Sequence, residues 1–390
     1  MKKNIMFIHA GAEMYGADKV LLELVKGLDK ELFNPIVVLP NDGPLVNNLK
    51  SHHIETQVLN FPVLRRKFFS FTGIINYLFL LIYFTLVLVS FIKRNKISLV
   101  HTNTLAVLPG AFAAKLAGIP NIWHVHEIIV SPKNLNKAFS YLIDWFSEKV
   151  VVVSKAVYNH MLNDNKKLEK KMVVLYNGVD TEHYSPKNKS AAYKKELGIS
   201  EDKFIIGMIG RINRWKGQNY LLDSVKALLK KTSNIHLLFV GGVFENETHF
   251  RETLVNNIEN AGISDKVTVL DFRNDINMVH GVFDIFILPS TDPDPLPTVV
   301  LEAMATGNPV VGNAHGGICE MVNDGGNGYL IPMGDKQLFS NKIEEMLNNK
   351  EKLRTMGKNS RERAINLFSL NAYISNFQDL YNNTMKRSRR

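Results

Sequence analysis

Two groups of residues in this chain are spaced to hold a phosphate-type leaving group. The first is Gly210-Arg211-Ile212-Asn213-Arg214-Trp215-Lys216-Gly217, in which Arg211 and Lys216 stand five residues apart just after the apolar run Phe204–Gly210. A turn at the carboxyl end of a strand is where open α/β sheets bind ligands. Cations and aligned N–H groups placed there stabilise an oxyanion as it departs. The second is Thr291-Asp292-Pro293-Asp294-Pro295-Leu296-Pro297, followed by Thr298-Val299-Val300-Leu301-Glu302. Its three prolines, ending at Pro297, fix a rigid non-helical loop. A helix then starts at Thr298, and the N–H groups near Thr298–Val300 are helix-start donors suited to phosphate. Asp294, held in the stiff loop, can accept from sugar hydroxyls. Glu302, one turn further in, can accept from paired hydroxyls such as those of a ribose. A solvated basic loop, or a turn beside a surface Glu, explains either group alone. Their coincidence favours a grip on the diphosphate and sugar of a nucleotide-sugar.

Three histidines are further candidates. His124 and His126 close the apolar run Asn121–Glu127 and by alternation share a face. A histidine satisfied in the core or at a strand end is an equally good reading of each. His101, in the run Leu99–Asn103, is a weaker candidate. No His, Cys, Asp and Glu spacing demands a metal, so no cofactor and no metal ion are expected.

These residues need strands and helices to position them. Buried strands are expected at Asn4–Ala10, Pro35–Pro40, Leu99–Asn103, Asn121–His126 and Val150–Ser154, then at Phe204–Gly210, His236–Gly242, Val267–Phe272, Ile285–Ser290 and Pro309–Gly312. Segments of helical period lie between most of them, including Ala17–Leu28, Tyr220–Lys231 and Asp335–Asn348. Strand and helix in alternation imply an α/β fold with parallel sheets covered on both faces. Two such series run in succession. The polar, lysine-rich stretch after Asn177-Gly178 marks the connector, giving expected domains at 1–185 and 186–368, with a last helix in 369–390.

The 390 residues suit two domains, and 45% apolar with 22% charged residues is globular composition. A single cysteine, Cys319, excludes an internal disulfide and fits a cytoplasmic chain. The first apolar run ends too soon for a signal peptide. The net charge of +10 invites a nucleic-acid reading. Its distribution argues otherwise. No acidic residue lies between Glu55 and Glu127, where Arg65, Arg66, Lys67, Lys93, Arg94, Lys96 and Lys115 stand, six of them flanking one apolar run. That pattern fits an anionic membrane surface, with no nucleic-acid partner. The basic tail Lys386, Arg387, Arg389, Arg390 is read as a solvated end.

The flanked run, Phe68–Ile92, has 25 residues without a charge. It is long enough to span a bilayer, but it lies between strands of one expected sheet, and spanning would divide that sheet. Its weakly polar stripe, Asn76, Tyr83 and Ser90, is too narrow for an ordinary solvated helix. A helix lying against the membrane interface at about 68–94, anchored by the basic flanks, is expected. A protein partner on that face and a true membrane span are the other readings.

The run from Pro289 to Val311 resembles the signature of family 4 of the retaining glycosyltransferases. Asp294 and Glu302 match its two acidic positions with seven residues between, although the family usually has Glu at the first position and often Phe-Gly where Leu296-Pro297 stand. Gly316-Gly317-Ile318-Cys319-Glu320, Asn177-Gly178-Val179-Asp180 and Tyr15-Gly16-Ala17-Asp18-Lys19 are similar to further family motifs, with Asp18 in place of Glu. The resemblance implies a GT-B fold, two Rossmann-like domains facing across a cleft, with the final helix crossing back to the first. It implies transfer of a sugar, with retention, from a UDP- or GDP-sugar to an acceptor. The membrane-facing helix adds a lipid-linked or glycan acceptor in bacterial surface polysaccharide synthesis, at the inner face of the plasma membrane. By resemblance Arg211 and Lys216 clamp the diphosphate, Gly16 lets backbone approach the donor, and His126 fits the family's cleft histidine. An epimerase of the same fold and a non-catalytic membrane-bound scaffold are the rival readings. A phosphorylase would need a pyridoxal-phosphate lysine, for which no motif is present.

Overall fold

A computed structural model describes residues 2–65 and 68–387. Arg66, Lys67, Arg389 and Arg390 of the basic segments lie outside the described residues. The chain divides into two compact units, residues 1–178 with 370–390 and residues 179–369. The division falls at Gly178, seven residues before the expected boundary at 185.

The first unit holds a seven-stranded parallel sheet. Its strands are β1 (Lys3–Ile8), β2 (Phe33–Leu39), β3 (Glu55–Val58), β4 (Ile97–Asn103), β5 (Asn121–Val125), β6 (Lys149–Val152) and β7 (Met172–Val174), in the order β3-β2-β1-β4-β5-β6-β7. Alternation along β1 explains the layering. Ile5 and Phe7 face a core made with Leu21 and Leu24 of the Gly16–Gly27 helix and with Phe377 and Tyr381 of the Leu370–Arg387 helix. Met6 and Ile8 face the other core, with Leu88 and Ile92 of the Phe71–Arg94 helix and Ala113 of the Pro109–Ala117 helix. The C-terminal helix is also tied by polar contacts. Lys3 Nζ donates to Asn382 Oδ1 at 2.7 Å, and the Asp29 N–H to Gln378 Oε1 at 2.6 Å.

The second unit holds a six-stranded parallel sheet. Its strands are β8 (Phe204–Ile209), β9 (Ile235–Val240), β10 (Val267–Leu270), β11 (Ile285–Leu288), β12 (Val310–Asn313) and β13 (Gly328–Ile331), in the order β10-β9-β8-β11-β12-β13. In each sheet the strand order reverses at one place, between β1 and β4 and between β8 and β11. The crevice outside the carboxyl ends of the strands at such a switch point is where doubly wound sheets bind ligands.

The Phe71–Arg94 helix opens on Ser70, whose Oγ accepts from the Gly73 N–H at 3.1 Å, and closes on Lys93 and Arg94. Tyr77, Leu81, Thr85, Leu88 and Ile92 form one buried stripe at helical spacing. The opposite face is largely apolar and exposed, with Phe79 68%, Ile82 64% and Leu86 59% accessible. Leu88 and Ile92 belong to the core beneath the sheet, so this helix is built into the first unit.

Candidate active site

In the second unit, the loops after β8 and β11 meet at the switch point. Asn213 Oδ1 accepts from the N–H groups of Trp215 and Lys216, at 3.2 and 2.9 Å, and so winds the loop 210–217 into a turn. The Thr291 N–H donates to the Trp215 carbonyl at 2.7 Å, and Arg214 pairs with Asp292. Gly217 has φ +91°, and a Cβ there would lie 2.2 Å from the Pro289 carbonyl oxygen. Only glycine permits both that backbone and that approach.

The junction brings Lys216 and Asp294 together. Lys216 Nζ donates to Asp294 Oδ2 at 2.5 Å, and Ser290 Oγ donates to the same oxygen at 3.3 Å. Asp294 is buried, and the Lys216 ammonium lies 4.4 Å from the centroid of the Trp215 ring. The backbone of Asp294 is clamped by the loop after β12. Gly316, at φ +71°, leaves no room for a Cβ against the Asp294 backbone, and the Gly317 N–H donates to the Asp294 carbonyl at 2.7 Å. The Gly316-Gly317 pair thus fixes the main chain of the first acidic position.

Arg211 follows β8 directly, and its guanidinium lies 3.7 Å from the centroid of the Phe244 ring, in the loop after β9. Phe244 carried no signal in the sequence, since a lone aromatic in a polar loop has no spacing to read. Pro297 precedes the Thr298–Ala305 helix and is buried. The N–H groups of Thr298 and Val299 have no hydrogen-bond partner among the described residues. Val300 corrects the expectation of three open donors, because its N–H donates to the Pro297 carbonyl at 3.1 Å in a tightened first turn. Glu302 is buried rather than open, with Oε2 3.3 Å from Nε2 of the fully buried His280.

In the first unit, the residues at the carboxyl ends of β1, β4 and β5 form one polar chain. The Tyr15 N–H donates to Asp18 Oδ2 at 2.7 Å, at the start of the Gly16–Gly27 helix, where Gly16 is partly buried. His9 Nε2 lies 2.5 Å from Asp18 Oδ1, and Asn103 Nδ2 lies 2.8 Å from His9 Nδ1. Asn103 Oδ1 lies 2.8 Å from Nε2 of His126. His9 and Asn103 escaped the sequence reading because neither lies in a motif; only strand order makes them neighbours.

His126 and its two rivals differ in surroundings. His101 is fully buried, with Nδ1 2.7 Å from the Tyr381 hydroxyl, and burial pushes its pKa down to about 3. His124 is buried beside Phe377, and burial holds it well below the ordinary histidine range. Both are core histidines. His126 is partly exposed, with desolvation first and then His9 and His101 lowering its pKa to about 3. Glu127 fastens this corner, accepting from the N–H groups of Leu105 and His126. Thr104, just before Leu105, holds φ +80°, which a β-branched residue rarely adopts. Its N–H donates to the His124 carbonyl and its carbonyl accepts from Trp123 Nε1–H, each at 2.9 Å. Backbone strain held by surrounding bonds is common at ligand sites.

Among the described residues, no group of three or more His, Cys, Asp or Glu side chains is arranged to hold a metal ion.

Comparison with known proteins adds to this geometry. Residues 14–183 match the family model described as Glycosyltransferase Family 4, and residues 189–363 match the one described as Glycosyl transferases group 1. The UDP-Gal:alpha-D-GlcNAc-diphosphoundecaprenol alpha-1,3-galactosyltransferase of Escherichia coli is 26% identical over 387 residues, covering 94% of this chain and 93% of that one. The capsular polysaccharide biosynthesis glycosyltransferase CapM of Staphylococcus aureus is 27% identical, over 65% of this chain and 68% of its own. The crystal structure of Anabaena HepE in complex with UDP and glucose superposes with a TM-score of 0.83 at 26% identity, covering 97% of this chain and 99% of that one.

Proposed function

This chain belongs to glycosyltransferase family 4 and is a glycosyl-transferring enzyme with the GT-B fold, and on that premise we propose that it moves a sugar from a UDP- or GDP-linked donor to a membrane-presented acceptor. The acceptor we propose is a polyprenyl-linked glycan intermediate of bacterial surface polysaccharide synthesis. The observation that carries the donor half is the Lys216–Asp294 pair at the β8/β11 switch point. Lys216 has three N–H donors and commits one to Asp294, so two remain for a diphosphate. Arg211 and the N–H groups of Thr298 and Val299 complete the proposed clamp. Asp294 gives one oxygen to Lys216 and Ser290 and offers the other to a sugar hydroxyl. Glu302 then acts on the ribose side only if its contact with His280 rearranges. The Anabaena structure, which holds UDP and glucose, supports this reading.

In the proposed reaction, the bond between the anomeric carbon and the donor's phosphate oxygen breaks first. Negative charge grows on that oxygen, where Arg211, Lys216 and the helix-start N–H groups stabilise it. The acceptor hydroxyl attacks from the face the phosphate leaves, and its proton passes to the departing phosphate oxygen. The configuration at carbon is retained.

The acceptor half rests on the Phe71–Arg94 helix. Its exposed apolar face, bordered by the exposed Arg65, Lys93, Arg94 and Lys96, suits the boundary between anionic headgroups and acyl chains. The Pro109–Ala117 helix packs beside it and exposes Leu116, and Lys115 sits 5.8 Å from the ring of the exposed Trp145. Tryptophan and lysine are side chains of membrane interfaces. The Escherichia coli relative is named for a diphosphoundecaprenol-linked acceptor, which supports a lipid-linked acceptor for this chain. Calorimetric titration with UDP and GDP tests the donor half. Binding of one nucleotide that is lost in Lys216→Ala is the expected result, and equal binding by both proteins would refute the clamp.

A further inference from the structure

The polar chain at the β1/β4 switch point has a direction. Asp18, His9 and Asn103 are all buried. A carboxylate can only accept. One Asp18 oxygen takes the Tyr15 N–H, so the other faces His9 Nε2 as an acceptor, and His9 must carry its proton there. With that one proton on Nε2, His9 presents a lone pair at Nδ1, which accepts from Asn103 Nδ2–H at 2.8 Å. That turns the Asn103 carbonyl oxygen toward His126, where it accepts from Nε2–H at 2.8 Å. Burial keeps His126 neutral, so its second nitrogen, Nδ1, is left as an acceptor. That atom has no hydrogen-bond partner among the described residues. Reversing the Asn103 amide would need a proton on both nitrogens of His9.

We infer that Asp18, His9 and Asn103 are positioning residues that fix His126 as the Nε2–H tautomer, so that its Nδ1 accepts from a hydroxyl of the bound sugar or acceptor. The inference rests on the reading of His126 as a residue of the sugar site. Each link comes from a different element: Asp18 from the first helix, His9 from the end of β1, Asn103 from the end of β4 and His126 from the end of β5. Thr104, immediately after Asn103, holds φ +80°, a conformation that a β-branched residue rarely adopts. The device explains why a buried carboxylate stands at the start of the first helix. It gives polarity to the relay as well as closing a turn.

Two substitutions follow from the bonding rules alone. In Asp18→Asn, the Tyr15 N–H keeps the amide oxygen, so the amide N–H₂ faces His9 and donates to it. His9 then carries its proton on Nδ1, Asn103 turns over, and His126 becomes the Nδ1–H tautomer. Adding Asn103→Asp restores the original state at His126, because a carboxylate at 103 accepts from both His9 Nδ1–H and His126 Nε2–H.

The test is nitrogen NMR of the full chain labelled with 15N-histidine, with His126 assigned by comparison with His126→Gln, together with steady-state transfer kinetics. The expected result is Nε2–H in the wild type, Nδ1–H in Asp18→Asn and Nε2–H again in the double variant. The single variant should lose about tenfold in kcat/KM, the scale of one misdirected hydrogen bond, and the double variant should recover it. An Nδ1–H proton on His126 in the wild type, or the same tautomer in all three proteins, overturns the relay. A tautomer that reverses while kcat and KM stay unchanged leaves the relay standing and overturns the role of His126 at the sugar.

Discussion

Lys216 Nζ lies 2.5 Å from Asp294 Oδ2, and this pair joins the two loops that the sequence marked as separate motifs. Both side chains are largely shielded from solvent, so the charges depend on each other. Lys216→Ala leaves a buried carboxylate without its cation and should cost about 3 kcal/mol of stability. Asp294→Ala should cost a similar amount. The double variant should fall short of the sum of the two singles by at least ~1 kcal/mol. Urea unfolding of the four proteins checks this, and strict additivity would mean that the pair is not coupled.

Arg211 stacks on Phe244, with 3.7 Å between the guanidinium carbon and the ring centroid. Arg211→Ala should lower kcat by roughly 10²–10³, the scale measured for other donors to a developing oxyanion. Arg211→Lys should recover little, because an ammonium is a point charge without the planar face that stacks. Phe244→Leu should cost less than either, since it misaims the cation without removing it. Steady-state kinetics on the three variants ranks them, and full activity in Arg211→Lys would contradict the stacked geometry.

The Glu127 carboxyl is pushed up to about 7, chiefly by burial, against the lowering effect of the Leu105 and His126 N–H groups. In the unfolded chain it titrates near its ordinary 4.5. Between those values the folded chain holds more protons than the unfolded one, so stability falls as pH rises through this window and levels off above about 7. The full effect is at most ~3 kcal/mol, reduced by the partial exposure of the side chain. Unfolding midpoints of wild type and Glu127→Gln at several pH values isolate this contribution. The wild type should lose stability relative to the variant as pH rises through the window, and parallel profiles would refute the shift.

Ten of the thirteen strands among the described residues were legible as short apolar runs. The three that were not, β3, β7 and β13, are all at sheet edges. Glu55-Thr56-Gln57-Val58 shows why: an edge strand has one neighbour and needs no continuous apolar sequence. That the two motif-bearing loops meet was legible, because they follow β8 and β11, which are neighbours in the sheet. The relay was not, because His9, Asp18 and Asn103 are scattered along the chain and become neighbours only when β1 and β4 pair. Val300 and Glu302 show the converse. Their types and spacing suit a ligand, but the helix start consumes one N–H and His280 meets the carboxylate.

The Phe71–Arg94 helix gives a clean test of membrane docking, provided that exposed positions are chosen. Leu88 lies in the core and would report on folding instead. Phe79→Glu with Ile82→Glu alters only exposed positions, so the fold should remain intact. Binding to vesicles containing anionic lipid should drop sharply, since two buried aromatic or aliphatic side chains contribute roughly 3–6 kcal/mol to insertion. Sedimentation with vesicles measures it. Unchanged co-sedimentation of the folded variant would point to a protein partner on this face.

Sugar transfer itself is the most direct measurement. Purified chain is incubated with bacterial membranes and a panel of radiolabelled UDP- and GDP-sugars, and the lipid fraction is scored for label. Label entering lipid from one donor, abolished in Lys216→Ala and Arg211→Ala, is the predicted result. Label found only in free sugar or in an isomerised nucleotide-sugar, or transfer undiminished in both variants, would contradict the account.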